Sequence, residues 1–250
     1  MSFADLKNKS GSFEKLQTEL AKVNSPTQSS YEDARMWKPD LDKSGNGFAV
    51  LRFLPQPEGE DLPWVRIWNH AFNGPGGWYI ENSLTTLNKK DPISEYNTEL
   101  WNSGVEANKD VARKQKRILK YYSNVLVVSD PKHPENEGKV FLYRFGKKIF
   151  DKISEVMNPQ FDDESPMNPF DFWEGANFKL KVRKVDGFWN YDKSEFEGTS
   201  ALLDGDDTKL EEVYSKLHSL KKFLEEDNFK QYDELRDKLN RVLTGSGVQG

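Results

Sequence analysis

The sequence predicts a β-rich α+β protein with a small five-stranded Greek-key barrel as its core, and three observations lead there. Apolar stretches of strand length recur between residues 48 and 185, turn formers divide them at irregular intervals without any repeat, and amphipathic helical segments are mostly confined to the two ends. The strand-like stretches are FAVLRFLP (48–55), WVRIWNHAF (64–72), WYIEN (78–82), SNVLVVSD (123–130), VFLYRF (140–145) and FKLKVRKV (178–185). Unequal connections, such as NGPGG at 73–77 and PKHPENEGK at 131–139, suit a Greek key better than regular hairpins. The last strand alternates, with Phe178, Leu180 and Val182 on one face and Lys179, Lys181 and Arg183 on the other. One face is therefore buried and the other carries positive charge.

The helical segments follow from a different period. Phe13, Leu16, Leu20 and Val23 recur at helical spacing behind Ser10 or Ser12 as an N-cap, giving an N-terminal arm over residues 1–24. Within KKIFDKISEV (147–156), Ile149, Phe150, Ile153 and Val156 form an apolar stripe that can plug the barrel. Two more helices form a C-terminal extension over 201–250. One carries Leu210, Val213, Tyr214, Leu217 and Leu220, the other Phe229, Tyr232, Leu235 and Leu239. The core then spans residues 25–200.

Composition excludes several classes. The chain has 250 residues and no cysteine, so disulfides and thiolate-based metal sites are ruled out. No apolar run reaches the roughly 20 residues a membrane-spanning helix needs. No Gly-rich phosphate loop, nucleophile elbow or HExxH motif is present, and the three histidines, His70, His133 and His218, fall in unrelated segments. Acidic runs at 58–61, 161–165 and 204–207 could hold Mg²⁺ in a nuclease, but such runs are usually solvated turns. The sequence is expected not to encode an enzyme. A metal-dependent nuclease and a protein-recognition scaffold using the terminal helices are the rival readings.

The net charge of −5 conceals a dipole. Between Lys109 and Lys152, twelve lysines and arginines, Lys116 among them, face five acidic residues, a local charge of +7 against −12 elsewhere. Such a layout focuses a polyanion onto one face. Cations and aromatics interleave in RKQKRILKYYSN, VFLYRFGKK and KVRKVDGFWNY. A single-stranded nucleic acid offers a phosphate track and exposed base faces, and this pattern supplies partners for both. Tyr121, Tyr122, Tyr143, Phe188, Trp189 and Tyr191 are candidate stacking platforms; Arg117, Lys120, Arg144, Lys147 and Lys181 are candidate phosphate contacts. For each ring, packing in the core is the competing reading.

The segments GNGFAVLRFLP, GGWYIEN, SNVLVVSDPKHPENEGKVFLYRFGKKIFDKI and FWEGANFKLKVRKVDGFWNYDKSEF resemble the single-stranded DNA-binding, or helix-destabilising, proteins of T-even-type bacteriophages. The resemblance runs from about residue 38 to residue 196. It implies an OB-fold core with an inserted subdomain near 70–105, coating single-stranded DNA cooperatively during replication, recombination and repair in the cytoplasm of an infected bacterium. Its DNA-contacting positions fall on Arg52, Arg117, Tyr121, Tyr143, Phe188 and Tyr191, with Tyr122 and Trp101 at further aromatic places. Partners implied are DNA, other copies of the protein, and phage replication and recombination proteins.

Three departures qualify the resemblance. Relatives hold a structural zinc with one histidine and three cysteines, whereas these positions carry His70, Ser83, Asp91 and Ser94, so no zinc and no other cofactor is expected. Trp78, Tyr79, Ile93, Tyr96 and Trp101 are expected to hold the subdomain instead. The basic arm motif that gives relatives cooperativity is reduced to Lys7, Asn8, Lys9 and Ser10. The acidic C-terminal tail of relatives has no counterpart after Gly245.

Overall fold

The computed structural model describes residues 33–245. The arm at 1–24, with Lys7, Lys9 and Ser10, lies outside the described residues. The described chain is a mixed α+β structure with nine connected strands and five α-helices. The strands are β1 (Met36–Trp37), β2 (Gly47–Phe53), β3 (Val65–Gly74), β4 (Gly77–Asn82), β5 (Ile118–Ser129), β6 (Val140–Phe145), β7 (Ala176–Val185), β8 (Phe188–Asn190) and β9 (Glu195–Thr199). The helices are α1 (Pro92–Asn102), α2 (Glu106–Gln115), α3 (Lys147–Met157), α4 (Asp207–Ser215) and α5 (Tyr232–Thr244).

All six predicted strands form. The fourth begins five residues earlier than expected, at Ile118, and becomes the hub of the sheet. One edge of β5 pairs with β6; the other pairs with β3 through its first half and with β2 through its second. Residues 123–127 are buried on both faces, because separate apolar clusters cover the two sides. β7 keeps the predicted alternation, burying Ala176, Phe178, Leu180 and Val182. Its polar face differs from expectation. Lys179 pairs with Glu197, Lys181 with Glu195 and Arg183 with Asp192, so the following strand segment neutralises it.

The interior is aromatic. Phe53 packs against Phe145, Phe170 and Phe178 at centroid distances of 5.6, 5.6 and 5.7 Å, and α3 adds Ile149 and Ile153 to this cluster as its apolar stripe predicts.

The helices α1 and α2 carry no strong apolar period. Each buries only two residues, Pro92 and Ile93 in α1 and Ala112 and Gln115 in α2, and the Asp91 side chain caps the start of α1. Tyr79 and Ile93 are buried in this region as expected, but Trp78 and Trp101 are exposed. The C-terminal extension departs further from prediction. α4 ends at Ser215, and the chain then crosses the sheet in short turns, pinned where the Glu60 carboxylate accepts the Leu220 and Lys221 amides. α5 finally packs its Leu235, Leu239 and Val242 against Phe72 and Tyr79 of the β3–β4 hairpin. The approach is close enough that a β-carbon on Gly76 would lie 1.9 Å from the Arg241 carbonyl oxygen.

Candidate nucleic-acid interface

Strand β5 lays out the first half of the basic window, and its register decides what each side chain meets. Tyr122 lies opposite Arg144 on β6, and Tyr121 opposite both Phe145 and Arg66. Lys120 is half-buried, and burial, followed by repulsion from Arg144, pulls its ammonium below the usual lysine value. Among the described residues, no ion pair engages Arg66, Lys120 or Arg144. Two neighbouring cations without a carboxylate are an electrostatic cost that an incoming anion relieves.

The β7–β8 hairpin continues this surface. Its turn, Asp186–Gly187, has φ of 51° and 82°, the positive pair that a two-residue type I′ connection needs. Just past it, Phe188 is 77% and Trp189 47% exposed, the first among the most solvent-facing rings of the protein. Trp189 leans on Gly45, where a β-carbon would come within 2.6 Å of the ring, and Lys184 sits 5.2 Å from its centroid. Lys148, at the start of α3, reaches 3.5 Å to Asn190 Oδ1. Burial raises the Tyr191 phenol and Arg144 opposes the rise, which ties the hairpin to the β6 cations.

A second group of cations lies on rings beside the first turn of β5. Arg117 lies over Trp68, 4.0 Å from its centroid, and donates to Thr85 Oγ1 at 2.8 Å. Lys109 and Arg113 of α2 flank Trp101 at 5.8 and 5.3 Å. Lys116 is exposed between the two. Arg66, Trp68, Thr85 and Lys184 were missed by sequence reasoning. A signal existed for two of them: in WVRIWNHAF, Arg66 and Trp68 alternate with the buried Val65 and Ile67 and so share the outer face.

Several expected contacts are placed elsewhere. Arg52 is fully buried, with Nη2 donating to the carbonyls of Asp171 at 2.9 Å and Ser200 at 2.8 Å. Its guanidinium ties β2 to two loops and leaves nothing for a phosphate. Tyr121 and Tyr143 are 5% and 3% exposed. Phe150 stacks on Tyr121 at 4.0 Å, while Trp37 and Phe145 cover Tyr143 at 5.5 Å each, so neither offers a free ring face. Tyr122 is covered by Phe223 at 4.3 Å. Lys147 pairs with Asp151, and Lys181 with Glu195, as surface ion pairs.

A family profile described as gp32 DNA binding protein like matches residues 45–243. The chain belongs to this family. Over 241 residues it is 42% identical to the single-stranded DNA-binding protein of Enterobacteria phage T4, covering 94% of this chain and 78% of that one. The protein of the same description from Enterobacteria phage T2 is also 42% identical over 227 residues, or 88% and 74% of the two chains. The match to the gp32 DNA binding protein like family spans every strand except β1, and both groups of cation–ring contacts.

The metal position implied by the resemblance can be tested on these residues. His70, Ser83 and Asp91 do converge, all buried, but Ser83 and Asp91 are engaged with each other and with backbone amides, which leaves His70 Nε2 as the one atom of the three side chains without a hydrogen-bond partner. Asp91 Oδ1 accepts the Ile93 and Ser94 amides at 3.0 and 3.2 Å, capping α1. Its Oδ2 accepts the Leu84 amide at 3.0 Å and the Ser83 hydroxyl at 3.2 Å. His70 Nδ1 bonds the Gln115 carbonyl oxygen at 2.8 Å, and Nε2 stands 3.6 Å from Asp91. A carboxylate saturated by four donors, a hydroxyl and one imidazole do not make the four-ligand, thiolate-rich site that structural zinc takes. These residues do not fit the metal.

Proposed function

We propose that this protein binds single-stranded DNA without sequence preference, as a non-enzymatic component of phage DNA replication, with recombination and repair as further settings. The observation that carries the reading is the neighbouring pair Lys120 and Arg144, which no carboxylate among the described residues engages, with Arg144 close enough to act on the Tyr191 phenol and the exposed rings Phe188 and Trp189 just ahead of Tyr191 in the chain. Cations neutralise phosphates and rings receive bases, and neither contact reads sequence. Duplex DNA keeps its base faces stacked and is the poorer ligand. The names of the T4 and T2 relatives support the same reading.

The finer parts of the proposal are structural. The sheet wrapped around the Phe53 cluster, with β5 as the shared strand, is read as an OB-type barrel, and the β3–β4 hairpin with α1 and α2 as its inserted subdomain. Self-association along DNA is assigned to the N-terminal arm through Lys7, Lys9 and Ser10. The working compartment is the cytoplasm of the infected cell. Among the described residues, no helix is long and apolar enough to cross a membrane.

The deciding experiment is quenching of tryptophan fluorescence on titration with poly(dT) and with duplex DNA at several salt concentrations. Saturable quenching by poly(dT), weakened by salt and much smaller with duplex, is the expected result. Absence of binding to poly(dT) at low salt overturns the proposal.

A further inference from the structure

Stacking in the proposed complex needs free ring faces, and near the start of β5 each tyrosine already has another ring of this chain packed on it. Tyr121 is stacked by Phe150 and Tyr122 by Phe223, both within 4.3 Å. What is presented to solvent there is a guanidinium. Arg117 is exposed, and its carbon lies 4.0 Å from the Trp68 centroid, the shortest of the cation–ring contacts among the described residues. No carboxylate among the described residues competes for it.

The support beneath this arginine is held from several sides. Nη1 donates to Thr85 Oγ1 at 2.8 Å. Thr86 Oγ1 accepts the Trp68 amide at 2.9 Å and donates to the Trp68 carbonyl oxygen at 3.3 Å, and the Ser83 amide donates to the same carbonyl at 2.8 Å. Trp68 itself sits in the β3–β5 ladder opposite Leu119. One face of the guanidinium is therefore occupied by the indole, one edge by Thr85, and the outer face is open.

A guanidinium is planar, weakly hydrated on its faces, and stacks on π-systems from either side, nucleobases included. We infer that Arg117, backed by Trp68 and steered by Thr85, is a base-stacking platform: one base of the bound strand packs on its outer face, while its unused N–H edge faces the adjoining phosphate. Trp68 and Thr85 are positioning residues in this arrangement. The inference rests on the single-stranded DNA reading above and assigns Arg117 a role that a point charge cannot fill.

Arg117→Lys separates the two roles, since it keeps the charge and removes the plane. Binding of a fluorescent dT oligomer is measured by anisotropy across a salt series, beside an oligomer of the same length whose bases are replaced by abasic sites. Arg117→Lys is expected to weaken dT binding by about 5- to 150-fold, the span of one stacked base. The salt slope should stay unchanged, and the abasic oligomer should bind both proteins equally. Trp68→Leu should lose a comparable factor and Trp68→Phe recover most of it. Wild-type affinity and slope in Arg117→Lys would overturn the inference. That variant, altered at an exposed side chain, decides the matter even if Trp68→Leu does not fold. Failure of the wild type to bind either oligomer would instead remove the parent reading.

Discussion

Arg52 and Arg144 carry the same charge on neighbouring parts of one sheet, yet their surroundings give them opposite tasks. Arg52 is sealed inside and bonded to loop carbonyls, so Arg52→Ala leaves buried acceptors without donors. Hydrogen bonds from a charged donor contribute about 1.5–3 kcal/mol each, and denaturant unfolding should show a loss of about 3 kcal/mol or more. Arg144→Ala should leave stability nearly unchanged and flatten the salt dependence of poly(dT) binding by about 0.7. The rings divide in the same way. Tyr143→Ala opens a cavity in the aromatic cluster and should cost about 3–5 kcal/mol of folding stability, as for other large-to-small core changes. Phe188→Ala, at an exposed ring, should lower affinity by about 1–3 kcal/mol without moving the unfolding midpoint.

At the scale of elements, the hairpin, the short turn after it and α1 are joined by one carboxylate. Asp91 caps α1 and closes the turn at Leu84. Asp91→Ala removes a helix cap worth about 0.5–2 kcal/mol and strands the buried Leu84 amide and Ser83 hydroxyl. Its melting temperature should fall measurably, while excess chelator should leave the wild-type melting curve and poly(dT) affinity unchanged. The β5–β6 loop gives a pH-dependent element. Glu135 and then Asp40 hold the His133 imidazolium and raise its pKa above the ordinary histidine value. Stability from this group is fully present below the unfolded value of about 6.5 and is lost as pH rises through the raised folded value. A melting temperature declining slightly between pH 6 and 8, and less so in His133→Gln, is the expected record.

At the scale of the whole molecule, a chain of net charge −5 can bind a polyanion because its acidic residues are spent elsewhere. Glu195, Glu197 and Asp192 neutralise the β7 cations, and Glu60 anchors the C-terminal crossing. Among the described residues, the cations near this surface that no ion pair engages include Arg66, Arg117, Lys120 and Arg144, with Lys148 and Lys184 beside the hairpin. Contact of these six cations with phosphates gives a salt slope of about −4 for a single strand. A slope near zero would place binding outside this surface. The extension also matters at this scale, because α5 packs on the hairpin and the crossing segment covers Tyr122. Core and C-terminal extension are one packed body rather than a module with an appendage.

The sequence by itself determined the six main strands, the helix at 147–156, the basic window and the family likeness. Each of these is a local property: a period of two or 3.6, a count of charges, or a run of matching residues. It also separated the inner and outer faces of β7, since alternation depends only on the pleat. Only the tertiary structure decided which rings and cations remain available. Periodicity says which side chains share a face but not what lies on that face. Phe150 covers Tyr121, Phe223 covers Tyr122, and Glu195 meets Lys181, all from other elements of the chain. Arg52 is a candidate contact through the family resemblance alone, and no local pattern shows the carbonyls of Asp171 and Ser200 that converge on its guanidinium and offset the cost of its burial.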